Sequence, residues 1–182
     1  MTSRTDTGTF AIHDDKESRL AGLYDEYYDK IARYAYVRIG NASEAEDIAS
    51  EVFLKALGSL NRYQDRGLPM QAWLFKIAHN LVVDYLRNKS KRVTLPIDIV
   101  DIVDESDPVE TAEINLEMER VTVAMQSLTE EQREVVRLRF LGGLTSREVG
   151  EIMKKSDGAV REMQRAAMEK LRQLLGGVDM GA

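Results

Sequence analysis

The 182-residue chain has no cysteine, which excludes disulfides, thiolate zinc sites and cysteine nucleophiles together. Its two histidines, His13 and His79, are too few and too separated for a histidine metal cluster. No apolar run approaches the roughly 18 residues that cross a bilayer. Met1–Arg19 is polar and charged, without the apolar core of a signal peptide. Val, Ile and aromatic residues never alternate with polar ones long enough to argue for a sheet. The three prolines, Pro69, Pro96 and Pro108, fall in a loop and a linker. What remains is an expectation of a cytoplasmic, all-α protein with no metal and no cofactor.

A hydrophobic fraction of 43% is enough for real cores, and the length allows one large or two small domains. Leu20, Leu23, Tyr24, Tyr27, Ile31 and Tyr34 mark a first amphipathic helix that ends before Gly40-Asn41. Ser43 and Glu46 read as a capping box, followed by Ile48, Ala49, Val52, Phe53, Ala56 and Leu57 on one face. After a loop over 58–70, a third helix turns Trp73, Leu74, Ile77, Ala78, Leu81, Val82 and Tyr85 inward. Residues 1–17 read as a disordered tail, 18–92 as a first helical domain and 93–109 as an acidic linker. Residues 110–175 read as a second helical domain and 176–182 as a flexible tail.

The net charge of −6 is unevenly spread. From Asn61 to Arg92 there are seven bases against Asp65 and Asp84; from Asp98 to Glu119 there are nine acids and no base. From Glu130 to Arg172 bases again outnumber acids, ten to eight. Two basic segments flanking an acidic one suggest two DNA-facing modules and a spacer that avoids DNA or imitates it. Each run alone is equally well read as a solvated face.

The densest signal lies between Leu144 and Leu175. Thr145 and Glu148 form a capping box, Val149, Ile152 and Met153 an apolar stripe, and Lys154-Lys155 a polar break. Ser156 caps a second helix that starts at Asp157 and buries Val160, Met163, Ala167, Leu171 and Leu174. Its other face shows Arg161, Glu162, Gln164 and Arg165, side chains able to reach phosphates and base edges in a major groove. Thr129 and Gln132 give a further capping box, opening the helix that carries Val135, Val136 and Leu138. The pattern reads as a helix-turn-helix; the plainer alternative is a helical hairpin in an all-α core.

Asp47-Ile48-Ala49-Ser50-Glu51-Val52-Phe53-Leu54-Lys55-Ala56 and Ala72-Trp73-Leu74-Phe75-Lys76-Ile77-Ala78-His79-Asn80 resemble region 2 of a bacterial sigma factor. Leu128-Thr129-Glu130-Glu131-Gln132-Arg133-Glu134-Val135 and the following hairpin resemble region 4. With no bulky domain between them, the chain is similar to the extracytoplasmic-function group of the sigma-70 family over roughly 20–175.

The resemblance implies a protein that is not an enzyme. It would bind core RNA polymerase, direct it to promoters and assist strand separation, commonly under an anti-sigma factor. Glu44, Asp47 and Glu51, an acidic face at spacings of three and four, would dock on the clamp helices of the largest polymerase subunit. Asn61, Arg62, Tyr63, Gln64 and Asp65 would capture a base flipped from the −10 element, with Asn80 supporting the pocket. Lys76, Arg87, Lys89, Lys91 and Arg92 would hold phosphates. Trp73 reads as core and His79 as a polar-face residue. Arg161, Glu162 and Arg165 would read the −35 element, with Lys154 and Lys155 on phosphate. Glu162, Met163 and Ala166 depart from the common family pattern, so the promoter sequence does not follow. A two-domain helix-turn-helix regulator that acts without replacing sigma accounts equally well for the last 50 residues or so, but not for the basic segment before the acidic linker.

Overall fold

The computed structural model describes residues 7–64, 67–92 and 119–176, with side chains from 16 onward and none at 92. Every regular element among the described residues is helical. The chain divides into two compact units between Asp98 and Ile99. Most of the acidic segment, and the linker expected over 93–109, lie outside the described residues.

The first unit is built on α1 (Thr7–Ile39), α2 (Ala42–Ser59) and α3 (Met70–Arg92), with a single 3-10 turn at Leu60–Arg62 after α2. The helix expected from Leu20 begins at Thr7, so most of the expected tail is helical. The apolar period that marks a core-facing helix starts only at Leu20, and the earlier turns carry no such stripe to read. Gly40, at φ 72°, ends α1 and delivers Asn41 in extended conformation, where its Oδ1 accepts from the Glu44 amide at 3.0 Å. The N-cap of α2 is therefore Asn41 and not Ser43, because the left-handed glycine fixes where the chain re-enters a helix.

Small residues on α2, Ala45, Ala49 and Ala56, are fully buried and let the helices approach closely. Ile31, Tyr34, Val52, Leu74, Phe75 and Val82 fill the core between them. Each such side chain contributes about 1.5–3 kcal/mol on leaving water. The Tyr34 and Phe75 rings meet edge-on at 5.8 Å. His79 is half-buried and faces α1: Arg38 Nη1 donates to the Tyr34 hydroxyl at 3.1 Å, which lies 3.2 Å from His79 Nδ1. This polar cluster, unseen in the helical period of α3, replaces the solvent-facing role expected of His79.

The second unit has a helical segment over 119–126, here α4, then α5 (Glu130–Phe140), α6 (Ser146–Met153) and α7 (Asp157–Leu175). Both capping boxes form, Thr129 with Gln132 and Thr145 with Glu148, and Ser156 accepts from the Ala159 amide. Arg133 Nη1 donates to the carbonyls of Gln126 and Leu128, each at 3.1 Å, satisfying groups that α4 leaves unpaired at its end. Ala124, Leu128, Ala167 and Leu171 form a core cluster with Met168 and Leu175 packed on it. Leu174, expected inward, is 51% exposed, because α7 turns Leu175 to the core in its place.

Candidate nucleic-acid interface

In the first unit an open cleft of about 540 Å³ lies between α2, the 3-10 turn and α3. Arg62, Tyr63 and Asn80, three of the expected −10 residues, line it together with Lys55, Trp73 and Asp84. Trp73 is half-buried and borders the cleft, where the sequence placed it in the core. The reason is geometric: Trp73, Ile77, Asn80, Leu81 and Asp84 recur at helical spacings along one strip of α3, and α2 covers that strip only in part.

Tyr63 differs from expectation in how it is held. It is only 6% exposed, its hydroxyl donates to the Leu68 carbonyl at 3.0 Å, and its ring lies 4.8 Å from Trp73. Its carbonyl accepts from Lys16 Nζ at 3.0 Å. Tyr63 thus pins the loop at both backbone and side chain, and Trp73 presents the more accessible aromatic surface. Asn61 and Gln64 are exposed on the loop, while Asp65 lies outside the described residues.

Along α3, Lys76 is half-buried and Arg87 and Lys91 are exposed. Arg87 lies 3.5 Å from Asp84, and Lys89 Nζ sits 5.9 Å from the centre of the Tyr85 ring. Arg92 ends the helix, its side chain outside the described residues. Burial, and then the charge of Glu44, pushes the Tyr85 hydroxyl up from its ordinary value.

Glu44, Asp47 and Glu51 are all exposed on α2, Glu51 paired with Lys55 at 3.3 Å. Beside them stand Leu54, 69% exposed, and Leu57, 51% exposed. Leu57 was expected on the buried face, and Leu54 has no role of its own in the motif that contains it. The signal that finds both is their offset from the stripe Ala45, Ile48, Ala49, Val52, Phe53 and Ala56, which faces the core. A mixed acidic and apolar surface therefore runs along the open side of α2.

In the second unit, Lys154 sits in the left-handed conformation at φ 57° and closes α6, exposed to solvent. Lys155 is 2.6 Å from Glu131 of α5, so its ammonium ties the turn to its neighbour. Gln164 is half-buried and accepts from Arg139 Nε at 2.9 Å. It braces α7 on α5, a correction to its place among the outward side chains. Arg161 and Arg165 do leave one exposed face. Arg161 Nη2 donates to Asp157 at 2.6 Å, and Arg165 donates through Nε and Nη2 to the two Glu162 oxygens at 3.2 and 2.6 Å. Hydrogen bonding and charge from Arg165 hold the Glu162 carboxyl below its ordinary range, and the same pairing raises Arg165.

Among the described residues no helix is long and apolar enough to cross a membrane. Among the same residues no group of three or more metal-ligating side chains is placed to hold an ion.

Residues 23–92 match the family described as sigma-70 region 2, and residues 124–173 that described as sigma-70, region 4. The chain is 37% identical over 157 residues to the ECF RNA polymerase sigma factor BldN of Streptomyces coelicolor. That match covers 84% of this chain but spans only 59% of the length of BldN. Identity to the ECF RNA polymerase sigma factor SigW of Bacillus subtilis is 30% over 169 residues, 87% of this chain and 90% of SigW. The sigma factor RpoE of Bartonella quintana, solved with the anti-sigma factor NepR, shares the fold at a TM-score of 0.68 and 19% identity, over 85% of this chain and 95% of that one. Two region matches in the order read from the residues, with nearly all of SigW covered, show that the chain belongs to the ECF RNA polymerase sigma factors, a family that is not an enzyme class.

Proposed function

We propose that this chain is the promoter-specificity subunit of a transcribing polymerase, acting in the cytoplasm without a cofactor and without catalysis of its own. The observation that carries the reading is the pairing, in one chain, of an aromatic and basic cleft with an exposed arginine face. Trp73, Arg62 and Asn80 line the cleft in the first unit. Arg161 and Arg165 stand on the second helix of a helix-turn-helix in the other.

In this reading the open side of α2 docks on the clamp helices of the largest polymerase subunit. Glu44, Asp47 and Glu51 supply charge complementary to a basic surface, and Leu54 and Leu57 supply apolar area. The cleft takes a base unstacked from the −10 element. Trp73 offers a face for stacking, Asn61, Arg62, Gln64, Asp65 and Asn80 offer hydrogen bonds, and Tyr63 holds the loop in place. Lys76, Arg87, Lys89, Lys91 and Arg92 hold phosphates. Unit two reads the −35 element with the exposed α7 face that carries Arg161 and Arg165, where Glu162 is paired with Arg165, and with Lys154 on phosphate. Lys155 can join it only by leaving Glu131. An anti-sigma factor is the regulator that family membership suggests, and it would have to cover these same surfaces.

Adding the purified chain to sigma-free core polymerase tests the proposal. Transcripts that start at defined promoters only when the chain is present are the expected result. Specific DNA binding by the chain alone, with no new transcripts, would replace it with a conventional regulator.

A further inference from the structure

Helix α7 carries its two exposed arginines in different states. Arg161 is engaged by one oxygen of Asp157, one turn before it. Arg165 is gripped along a whole edge: Nε and Nη2 each donate to a separate oxygen of Glu162. A planar guanidinium has two forked edges that suit a bidentate acceptor, one along Nε and Nη2 and one across Nη1 and Nη2. Glu162 occupies the first. The second points away from it, and its Nη1 is approached only loosely, at 3.4 Å, by Glu169 one turn onward.

All three side chains stay more than half exposed, Arg165 at 65%, Glu162 at 66% and Glu169 at 59%. An exposed pair of this kind adds little to folding. Its consequence is directional: the arginine is already aimed and has less freedom to lose when it meets a base. Among base edges in the major groove, guanine, with O6 and N7 side by side, is the acceptor that matches the remaining edge. The same carboxylate puts a negative charge on the exposed face of the helix, and such a charge lowers attraction to any DNA.

We propose that Glu162 is a positioning residue that presents the Nη1–Nη2 edge of Arg165 to a guanine, trading general DNA affinity for discrimination at one base pair. The inference rests on the reading of α7 as the −35 helix and commits it to a G·C pair opposite Arg165.

Holoenzyme reconstituted from core polymerase and the full chain should be challenged with promoters randomised through the upstream element. Arg165→Ala should flatten one guanine preference by on the order of ten- to a hundredfold. Glu162→Ala should weaken the preference at that same base pair, about three- to tenfold, while raising binding to unrelated sequences and steepening its salt dependence. Glu162→Gln, which keeps one acceptor oxygen for Nε, should retain more of the guanine preference than Glu162→Ala. If Glu162→Ala flattens a different base pair, Glu162 is itself a reader and the proposal is wrong. If it leaves base preference unchanged while Arg165→Ala does not, buttressing is wrong and the reading of α7 survives. If Arg165→Ala alters no preference, the reader assignment fails and the proposal falls with it.

Discussion

The carbonyl oxygen of Lys155 lies 2.6 Å from the point where a β-carbon on Gly150 would stand. The contact follows from the turn itself: Lys154 takes the left-handed conformation, and the Lys155 amide donates back to the Gly150 carbonyl at 2.9 Å. Gly150 is thus the residue that lets the turn fold tightly onto α6. Because the obstacle is backbone, no side chain can swing away.

Gly150→Ala should destabilise the second unit by on the order of 1–3 kcal/mol, through forced separation of helix and turn. Gly158→Ala is the control, since nothing lies within 4 Å of its β-position, and alanine there is the better helix former by up to about 1 kcal/mol. Hydrogen exchange of α6 and α7 amides in the full chain separates the two. Equal protection in both variants would show that the turn adapts.

Lys154→Gly should do the opposite. A left-handed L-residue is strained by roughly 1–2 kcal/mol, and the extra freedom of glycine in the unfolded chain offsets about 0.5–1 of it. A net gain of about 0.5–1 kcal/mol should appear in denaturant melts. If Lys154 also holds a phosphate, the variant binds all DNA sequences more weakly and its salt slope falls by about one. An unchanged slope would leave Lys154 a structural residue only.

Asp47→Lys with Glu51→Lys should weaken core polymerase binding tenfold or more, about 1.4 kcal/mol, with the fold intact. Both residues are exposed, and the interaction lost with Lys55 is an exposed pair four residues apart, worth about 0.3–0.5 kcal/mol. Titration of fluorescent core against each chain reads the affinity, and circular dichroism reads the fold. Binding equal to the parent would move the docking surface off this side of α2.

The Glu162 carboxyl should titrate below the ordinary range for glutamate, as its hydrogen bond and charge contact with Arg165 require. A carboxyl lowered on folding adds stability above its unfolded value, and that stability is lost as pH falls through the folded one. The side-chain carbon resonance of Glu162, followed from neutral pH downward, gives the midpoint. Arg165→Gln should return it toward ordinary glutamate. A midpoint indifferent to that substitution would mean the pair does not persist in solution.

Local signals made much of this protein legible from its residues. Thr129 with Gln132, Thr145 with Glu148, and Ser156 each satisfy orphan amides within three residues, so the starts of α5, α6 and α7 follow from short-range chemistry alone. Buried positions recurring every three or four residues fixed most of both cores, from Ile31 and Val52 to Val160 and Leu171. The family resemblance groups Arg62, Tyr63 and Asn80 in one site, and all three line the cleft. Only the tertiary structure decided what each outward or borderline side chain touches. It turned Tyr63 inward under Leu68, opened Trp73 to the cleft, drew Gln164 to Arg139 and Lys155 to Glu131, and left Leu54 and Leu57 bare. A helical period says which way a residue faces. Its partner depends on chain that lies far away in sequence, or, as with Glu162 and Arg165, on which of several nearby charges the packed helix leaves within reach.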